Sequence, residues 1–299
     1  MRYKGLFYLL AFFLFGYVSM DQAFVLTGSE TPQKDEKPEI ISPLGKKLYA
    51  HPAQGEELTK LEEDLRTAAG NLEADPENPE NIIMYGRRLA YLWRYHDAID
   101  VYSKGITEFP DNAMLYRHRG HRYISIRDFD KAVDDMTKAS QLNDHDFDIW
   151  YHLGLAHYLK GNFENALQAY RACLMSAEDD DAKIAISNWI YITLRRQKKN
   201  DEADKILERI TEGMEVVENQ SYYDLLSLYK GVKSESEMEA AATGSALDLA
   251  TVGYGMGAWY LYNGNERKAK EIFEKIVETE YWPAFGYIAA ETELVRMKQ

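Results

Sequence analysis

A chain of 299 residues with 45% hydrophobic and 28% charged residues has enough apolar material for a sizeable core, which excludes disorder over most of its length. A net charge of -14 excludes a general nucleic-acid binder, because phosphate recognition needs clustered Lys and Arg. The single cysteine, Cys173, excludes an intramolecular disulfide.

At the N-terminus, Arg2 and Lys4 precede an apolar run from Leu6 to Val18. A short positive stretch before a brief apolar core has the layout of a secretory signal peptide, and the run falls short of the roughly 20 residues a membrane span needs. Residues 1–20 are therefore expected to direct export, making the protein periplasmic or secreted. Neither Val18-Ser19-Met20 nor Asp21-Gln22-Ala23 offers a clean pair of small residues for cleavage. An uncleaved membrane anchor over residues 5–20 is the alternative, and no Cys stands where a lipid would attach. Residues 21–55 contain Pro32, Pro38, Pro43 and Pro52, which forbid a long helix, and read as an extended arm. One apolar knot in it, Ile40-Ile41 with Leu44 and Leu48-Tyr49, is suited to packing on the folded part. Residues 56–76 then form an amphipathic helix, with Leu58, Leu61, Leu65, Ala68 and Leu72 at three- and four-residue steps, ending before Pro76.

From there the sequence repeats. Gly86, Gly120 and Gly154 are spaced by 34 residues, as are Ala98, Ala132 and Ala166, and again Gly105, Ala139 and Cys173. Large residues, Tyr102, Met136 and Tyr170, keep the same period. This pattern resembles the tetratricopeptide repeat, a pair of antiparallel helices in each repeat. Ile82, Tyr116 and Trp150 occupy the family's large fourth position, and Pro110 its frequent late proline. The resemblance implies an all-α fold, a right-handed α-solenoid of stacked helix pairs. Small residues would sit where the two helices of a repeat approach, with large ones beside them. Three regular repeats cover residues 79–178. Residues 179–249 hold a degenerate repeat, from Ile184 to Met214 around Trp189, Leu194, Leu207 and Ile210. An irregular insertion follows, with a helix at Tyr222–Tyr229 and a break near Ser234–Ser245. Residues 250–299 hold a last repeat, with Gly257, Tyr260, Ala269 and Phe273 in the family's slots, and a closing helix from Pro283 to Lys298 that shields the final apolar face. The first two-thirds also resemble exported bacterial repeat proteins, a likeness that implies no particular function.

No catalytic constellation stands out. Gly253-Tyr254-Gly255-Met256-Gly257 has no preceding strand to make it a phosphate loop, and Gly257 falls in a small-residue slot. His118 and His121 lie one helical turn apart without a supporting carboxylate, and His152 and His157 point apart, so no metal is expected. Asp179–Asp181 reads as a solvated loop with too few oxygens for calcium. Cys173 reads as a packing residue, and no cofactor is expected.

One feature points to recognition. In an acidic chain, the first helices of the repeats carry Arg87, Arg88, Arg117, Arg119, Arg122, Arg195 and Arg196, with His118 and His121. In the family these helices line a concave groove, which here implies Arg87, Arg117, His121, Tyr151, Tyr158, Asn188 and Arg195 as groove residues. Arg88, Arg119 and Arg122 fall off that stripe. Arg suits an acidic or C-terminal carboxylate peptide, because its planar fork pairs with carboxylates through two hydrogen bonds. The chaperone-tail clamp of some family members uses Lys and Asn at places that do not match. Glu57, Glu62, Glu63 and Asp64 are positioned to neutralise some of these cations, and Glu39, Asp35 and Glu36 in the arm could be drawn to the groove. The expected function is a non-catalytic scaffold binding a peptide or helix. The alternatives are an accessory regulator of an envelope enzyme or transport system, and an enzyme using the Gln220–Leu247 insertion, where no nucleophile with a base is found.

Overall fold

The structure, a computed structural model, describes residues 37–50 and 53–298. The expected export segment lies outside the described residues, as do Asp35 and Glu36. Helix α1 (Gly55–Ala74) precedes three helix pairs: α2 (Pro79–Tyr91) with α3 (Tyr95–Glu108), α4 (Ala113–Ser125) with α5 (Phe129–Leu142), and α6 (Phe147–Lys160) with α7 (Phe163–Met175). Local chemistry fixes where each pair begins. Asn78, Asn112 and Asp146 stand in register before α2, α4 and α6, and each side chain accepts from a first-turn backbone N–H, satisfying a donor the helix itself cannot. Pro79 starts α2 with a fixed φ and no N–H to waste.

The 34-residue glycine period is a packing rule. A Cβ on Gly86 would lie 2.4 Å from Tyr102, and one on Gly154 only 2.3 Å from Tyr170. The corresponding Gly120 faces Met136, whose terminal methyl would be 3.0 Å away. Each pair of helices thus closes around one large side chain, and Tyr102, Met136 and Tyr170 are all buried.

The turn inside each pair needs one residue with left-handed backbone. Gly161 (φ 90°) and Gly264 (φ 83°) meet that demand without a Cβ penalty, but Trp93 (φ 56°), Arg127 (φ 66°) and Lys198 (φ 59°) do not. A side chain there costs roughly 1–2 kcal/mol, which must be offset by what it touches.

The chain continues through α8 (Asp180–Arg196) and α9 (Asn200–Glu208), then α10 (Gln220–Tyr229). A break was expected near Ser234–Ser245; instead α11 occupies Glu235–Ala241. Ser234 and Glu237 form a capping box there, and Met238, fully buried, ties the short helix to the core. A single turn, α12 (Ala246–Asp248), runs through a π-helical stretch (Leu249–Gly253) into α13 (Tyr254–Tyr262), which pairs with α14 (Glu266–Val277). Gly257 packs against Phe273 in the same way Gly154 packs against Tyr170.

The closing helix α15 (Phe285–Arg296) does more than cover the last repeat. Every residue from Gly286 to Leu294 is buried, so no face is left for solvent. It crosses the π-helical stretch so closely that a Cβ on Gly286 would overlap the Ala250 carbonyl. It then reaches the intra-pair turns of the earlier repeats. Arg127 donates to Glu291 at 2.8 Å and to the Trp282 carbonyl at 3.0 Å. Trp93 packs edge-on against Trp282 at 5.5 Å and Tyr281 at 5.4 Å. Arg196 pairs with Glu293, and Arg296 donates to the carbonyls of Tyr158 and Leu159.

The apolar knot of the arm packs on the core, with Ile40 and Leu48 buried. It forms a small antiparallel hairpin of β1 (Ile40–Ile41) and β2 (Lys47–Leu48). Lys46 donates to the Val277 carbonyl, Trp282 Nε1 to the Tyr49 carbonyl, and the His96 N–H to Glu39. Both ends of the solenoid are thereby joined.

Gly154→Ala is expected to overpack the Tyr170 contact by about 1–3 kcal/mol, and Gly120→Ala by less, because Met136 can swing its methyl aside. Urea denaturation of both variants checks the ranking. For the buried Arg127–Glu291 pair, Arg127→Leu should cost about 3–5 kcal/mol by stranding Glu291, whereas the double Leu variant should recover most of the loss. Equal melting of the single and double variants would contradict it.

Candidate functional site

The first helices of successive repeats, α2, α4 and α6, touch one another and line the inner face. The predicted groove residues separate here into two groups. Tyr151, Tyr158 and Asn188 are buried, at 8%, 0% and 2% exposure, and offer a ligand no surface. Tyr158 hydrogen-bonds through its hydroxyl to Tyr254 at 2.6 Å and to Tyr262 at 3.0 Å, and the Tyr151 hydroxyl accepts from Trp189 Nε1. Arg195 is spent on Tyr191 and Asn263. The physical reason is that α13 and α15 fold back over this half of the inner face. The groove expectation for Tyr151, Tyr158 and Asn188 is corrected accordingly, while Arg195 stays half-buried apart from the cluster.

Arg87, Arg117 and His121 remain together, at the end nearest α2. Arg117 pairs with Asp148 at 2.5 Å and touches His118 Nδ1 at 3.1 Å. Its buried Nε has no hydrogen-bond partner. Arg87 donates to the Tyr91 hydroxyl at 3.0 Å and has no carboxylate partner. Arg122, off the stripe by helical position, turns into the same space and sits over the Tyr95 ring at 5.2 Å, its guanidinium without a hydrogen bond or ion pair among the described residues. His152 joins from α6, its ring 4.4 Å from that of His121, and Phe285 of α15 closes the cluster 5.3 Å from His121. Sequence reasoning missed Arg122 and His152. A signal existed: Arg122 has aromatic Tyr95 one helix away and no acidic residue three or four positions from it.

Arg117 and Arg87 therefore act on one carboxylate, Asp148, and Arg122 adds a third guanidinium beside Arg117. Burial raises the Asp148 pKa, but Arg117 and His152 outweigh it and hold the group below the usual carboxylate range. The histidines respond in the opposite sense. Burial, followed by Arg117, Arg87 and Arg122, pushes His118 well below its ordinary value. Burial and then Arg122 and His152 do the same to His121. Burial and Arg117 bring His152 down to about 4, with Asp148 pulling the other way. His152 bonds through Nδ1 to the Asp148 carbonyl, an acceptor, which assigns its proton to Nδ1.

The other arginines are paired elsewhere: Arg88 with Asp64, Arg119 with Asp135 through two bonds, and Arg196 with Glu293. Glu39 binds His96 rather than the basic cluster, so the described part of the arm does not fill the groove. Cys173 is buried, and burial pushes its thiol far above the ordinary range. Gly255 is packed against Leu225 and Gly257 against Phe273, which explains that glycine run structurally. Asp181 accepts from the backbone N–H groups of Val217, Glu218 and Asn219, tying down the loop before α10. Among the described residues no three His, Cys, Asp or Glu side chains are grouped to hold a metal. No helix among them is long and apolar enough to cross a membrane. Two depressions, about 250 Å³ beside Leu174, Ile210 and Met214 and about 440 Å³ beside Leu58, Leu65 and Leu92, lie away from the cluster and pair no nucleophile with a base.

The lowered histidine values predict a fold that loses stability in acid. Neutral imidazoles titrate lower when folded than the ordinary value of about 6.5, so their stabilisation is full above that pH and is lost as pH falls toward the folded values. The melting temperature should fall between about pH 6.5 and 4.5, and His121→Asn should flatten part of that slope. A wild-type melting temperature that is constant across this window would contradict the buried neutral cluster.

The profile of the Tetratricopeptide repeat family matches residues 117–182. Small glutamine-rich tetratricopeptide repeat-containing protein 2 of Saccharomyces cerevisiae is 31% identical over 134 residues, covering 45% of this chain and 36% of that protein. Tetratricopeptide repeat protein 13 of Homo sapiens is 25% identical over 145 residues, covering 48% of this chain and 17% of that one. The chain thus spans well under half the length of these relatives. Among solved structures, YrrB, described as a TPR protein with an unusual peptide-binding site, superposes with a TM-score of 0.45 at 17% identity, covering 78% of this chain and 98% of that one. MamA superposes with a TM-score of 0.46 at 21% identity, covering 59% and 94%. With its in-register glycines, its capped helix pairs and this profile match, the chain is a tetratricopeptide-repeat protein.

Proposed function

We propose that the protein is a non-catalytic interaction scaffold that docks an acidic peptide segment on the inner face of its first repeats, at Arg87, Arg117, Arg122 and His121. The observation that carries this reading is the charge imbalance of the cluster. Arg117 and Arg87 act on Asp148 and Arg122 stands beside Arg117 with no carboxylate of its own among the described residues, in a chain whose net charge is -14. Half-buried cations without counter-charge are costly, and an arriving carboxylate would supply both the charge and acceptors for the free N–H groups of Arg122. Repeat stacks suit extended peptides because they offer a long surface rather than an enclosed pocket. The C-terminal half of the inner face is closed by the chain's own helices, so the docking site is short. It has room for a few residues of a partner rather than for a long helix.

The reading extends to an exported location, periplasmic or secreted, which rests on Arg2, Lys4 and the apolar run that follows. Cell fractionation of the full chain tests it, and recovery in the cytoplasm alone would remove it.

The docking reading is checked by fluorescence anisotropy with a labelled glutamate-rich peptide. Arg87→Glu with Arg117→Glu should weaken binding by 100-fold or more, on the order of two charge-assisted contacts, while circular dichroism keeps its helical signal. Undiminished affinity in a folded double variant would move the interface off this face.

A further inference from the structure

The docking cluster contains more imidazole than charge pairing requires. Among the described residues the His121 ring makes no hydrogen bond, and the His152 ring uses only Nδ1, on the Asp148 carbonyl, leaving Nε2 without a partner. The groups facing these two rings come from every neighbouring element. On α4 they are Arg117, His118 and Arg122; on α6, Asp148 and the Tyr151 ring; Arg87 on α2 acts on their neighbours His118 and Asp148. From α15 only the uncharged ring of Phe285 reaches them. Among the described residues Asp148 is thus the one anion beside three arginines and three histidines.

We propose that this site takes its carboxylate ligand together with protons, so that docking on Arg87, Arg117 and Arg122 is coupled to protonation of His121 and His152 and tightens as pH falls. The proposal rests on the docking reading and adds its regulation. Alone, the protein keeps both imidazoles neutral at mildly acidic pH, because a further positive charge would be added to a buried site already rich in cations. A ligand carboxylate reverses the sign of the local field. The bound rings then recover ordinary values, and between the two sets of values the complex holds protons that the free protein lacks. Linkage requires affinity to rise by up to about ten-fold per pH unit for each proton taken up. Ligand carboxylates, titrating near 4, stay ionised over the range in which this happens. The geometry gives each proton a place: Nε2 of His152, and either nitrogen of His121.

The test uses isothermal titration calorimetry of the full chain with an end-blocked octapeptide of three Glu and five Ala residues, and its Gln counterpart as control. Titrations at about pH 7.5, 6.5 and 5.5 are run in two buffers of different ionisation enthalpy. The expected result is a Glu-peptide Kd at least roughly ten-fold lower at pH 5.5 than at 7.5, with net proton uptake of one or more near pH 6.5. His121→Asn should lose most of the pH dependence, its Kd ratio between pH 7.5 and 5.5 falling toward one whatever its affinity at pH 7.5. His145→Gln, an exposed histidine outside the site, should change neither the affinity nor its pH dependence. If His152→Gln fails to fold, the imidazole resonances of the wild-type chain decide instead, since peptide must raise the titration midpoint of His121. Glu-peptide binding without pH dependence or proton uptake would overturn the coupling and leave the docking reading standing. Equal affinity for the Glu and Gln peptides at every pH would overturn both.

Discussion

The buried pair between Arg127 and Glu291 is the constraint on which the rest of this architecture depends. Its partners are separated by 164 residues and are 5% and 1% exposed. Burial and the arginine act on Glu291 in opposite directions, and burial prevails, raising its pKa. Two charges taken out of water gain little net stability over an apolar pair of the same size. They do fix a geometry, since neither is tolerated without the other. Here that geometry is the docking of α15 across the earlier repeats. Arg127 also holds the Trp282 carbonyl and lies over the Trp282 ring, so one side chain secures both the helix and the segment leading into it.

That arrangement explains an otherwise unfavourable backbone. The turn within each helix pair favours glycine, and two of the turns use it. Trp93 and Arg127 adopt the same left-handed conformation with large side chains. Both project onto Trp282 and its neighbours, so the conformational cost is offset by tertiary contacts that a glycine could not make. Lys198 shares the conformation, and nothing in the structure explains it.

Closure also decides which part of the inner face stays open. An open stack of repeats would expose the inner faces of α2, α4, α6 and α8 alike. Here Tyr158, Tyr254 and Tyr262 form a buried hydrogen-bonded trio, and Trp189 stacks near Tyr254, so the inner face beyond α6 becomes core. What remains is the end at Arg87, Arg117 and Arg122, bounded by Phe285. The same folding back that removes most of the groove concentrates the unpaired positive charge in the part that is left.

The sequence by itself determined the helix pairs, their register and their internal packing. The signals for these are local. Asn78, Asn112 and Asp146 cap helices within their own turn, and Gly86, Gly120 and Gly154 meet residues 16 positions along the same repeat. The capping box that makes α11 was also legible, in Ser234 and Glu237, although the small and polar composition around it suggested a break. The clustering of arginine on first helices pointed to the inner face, and three of the seven residues inferred for the groove lie in the cluster. Only the tertiary structure decided that Tyr151, Tyr158 and Asn188 are enclosed and that Arg122 and His152 join the cluster. Those outcomes follow from contacts between α15, α13 and the early repeats, which span more than 90 residues and obey no period. Helical spacing says which residues share a stripe. It carries no information about which distant helix will be laid over that stripe.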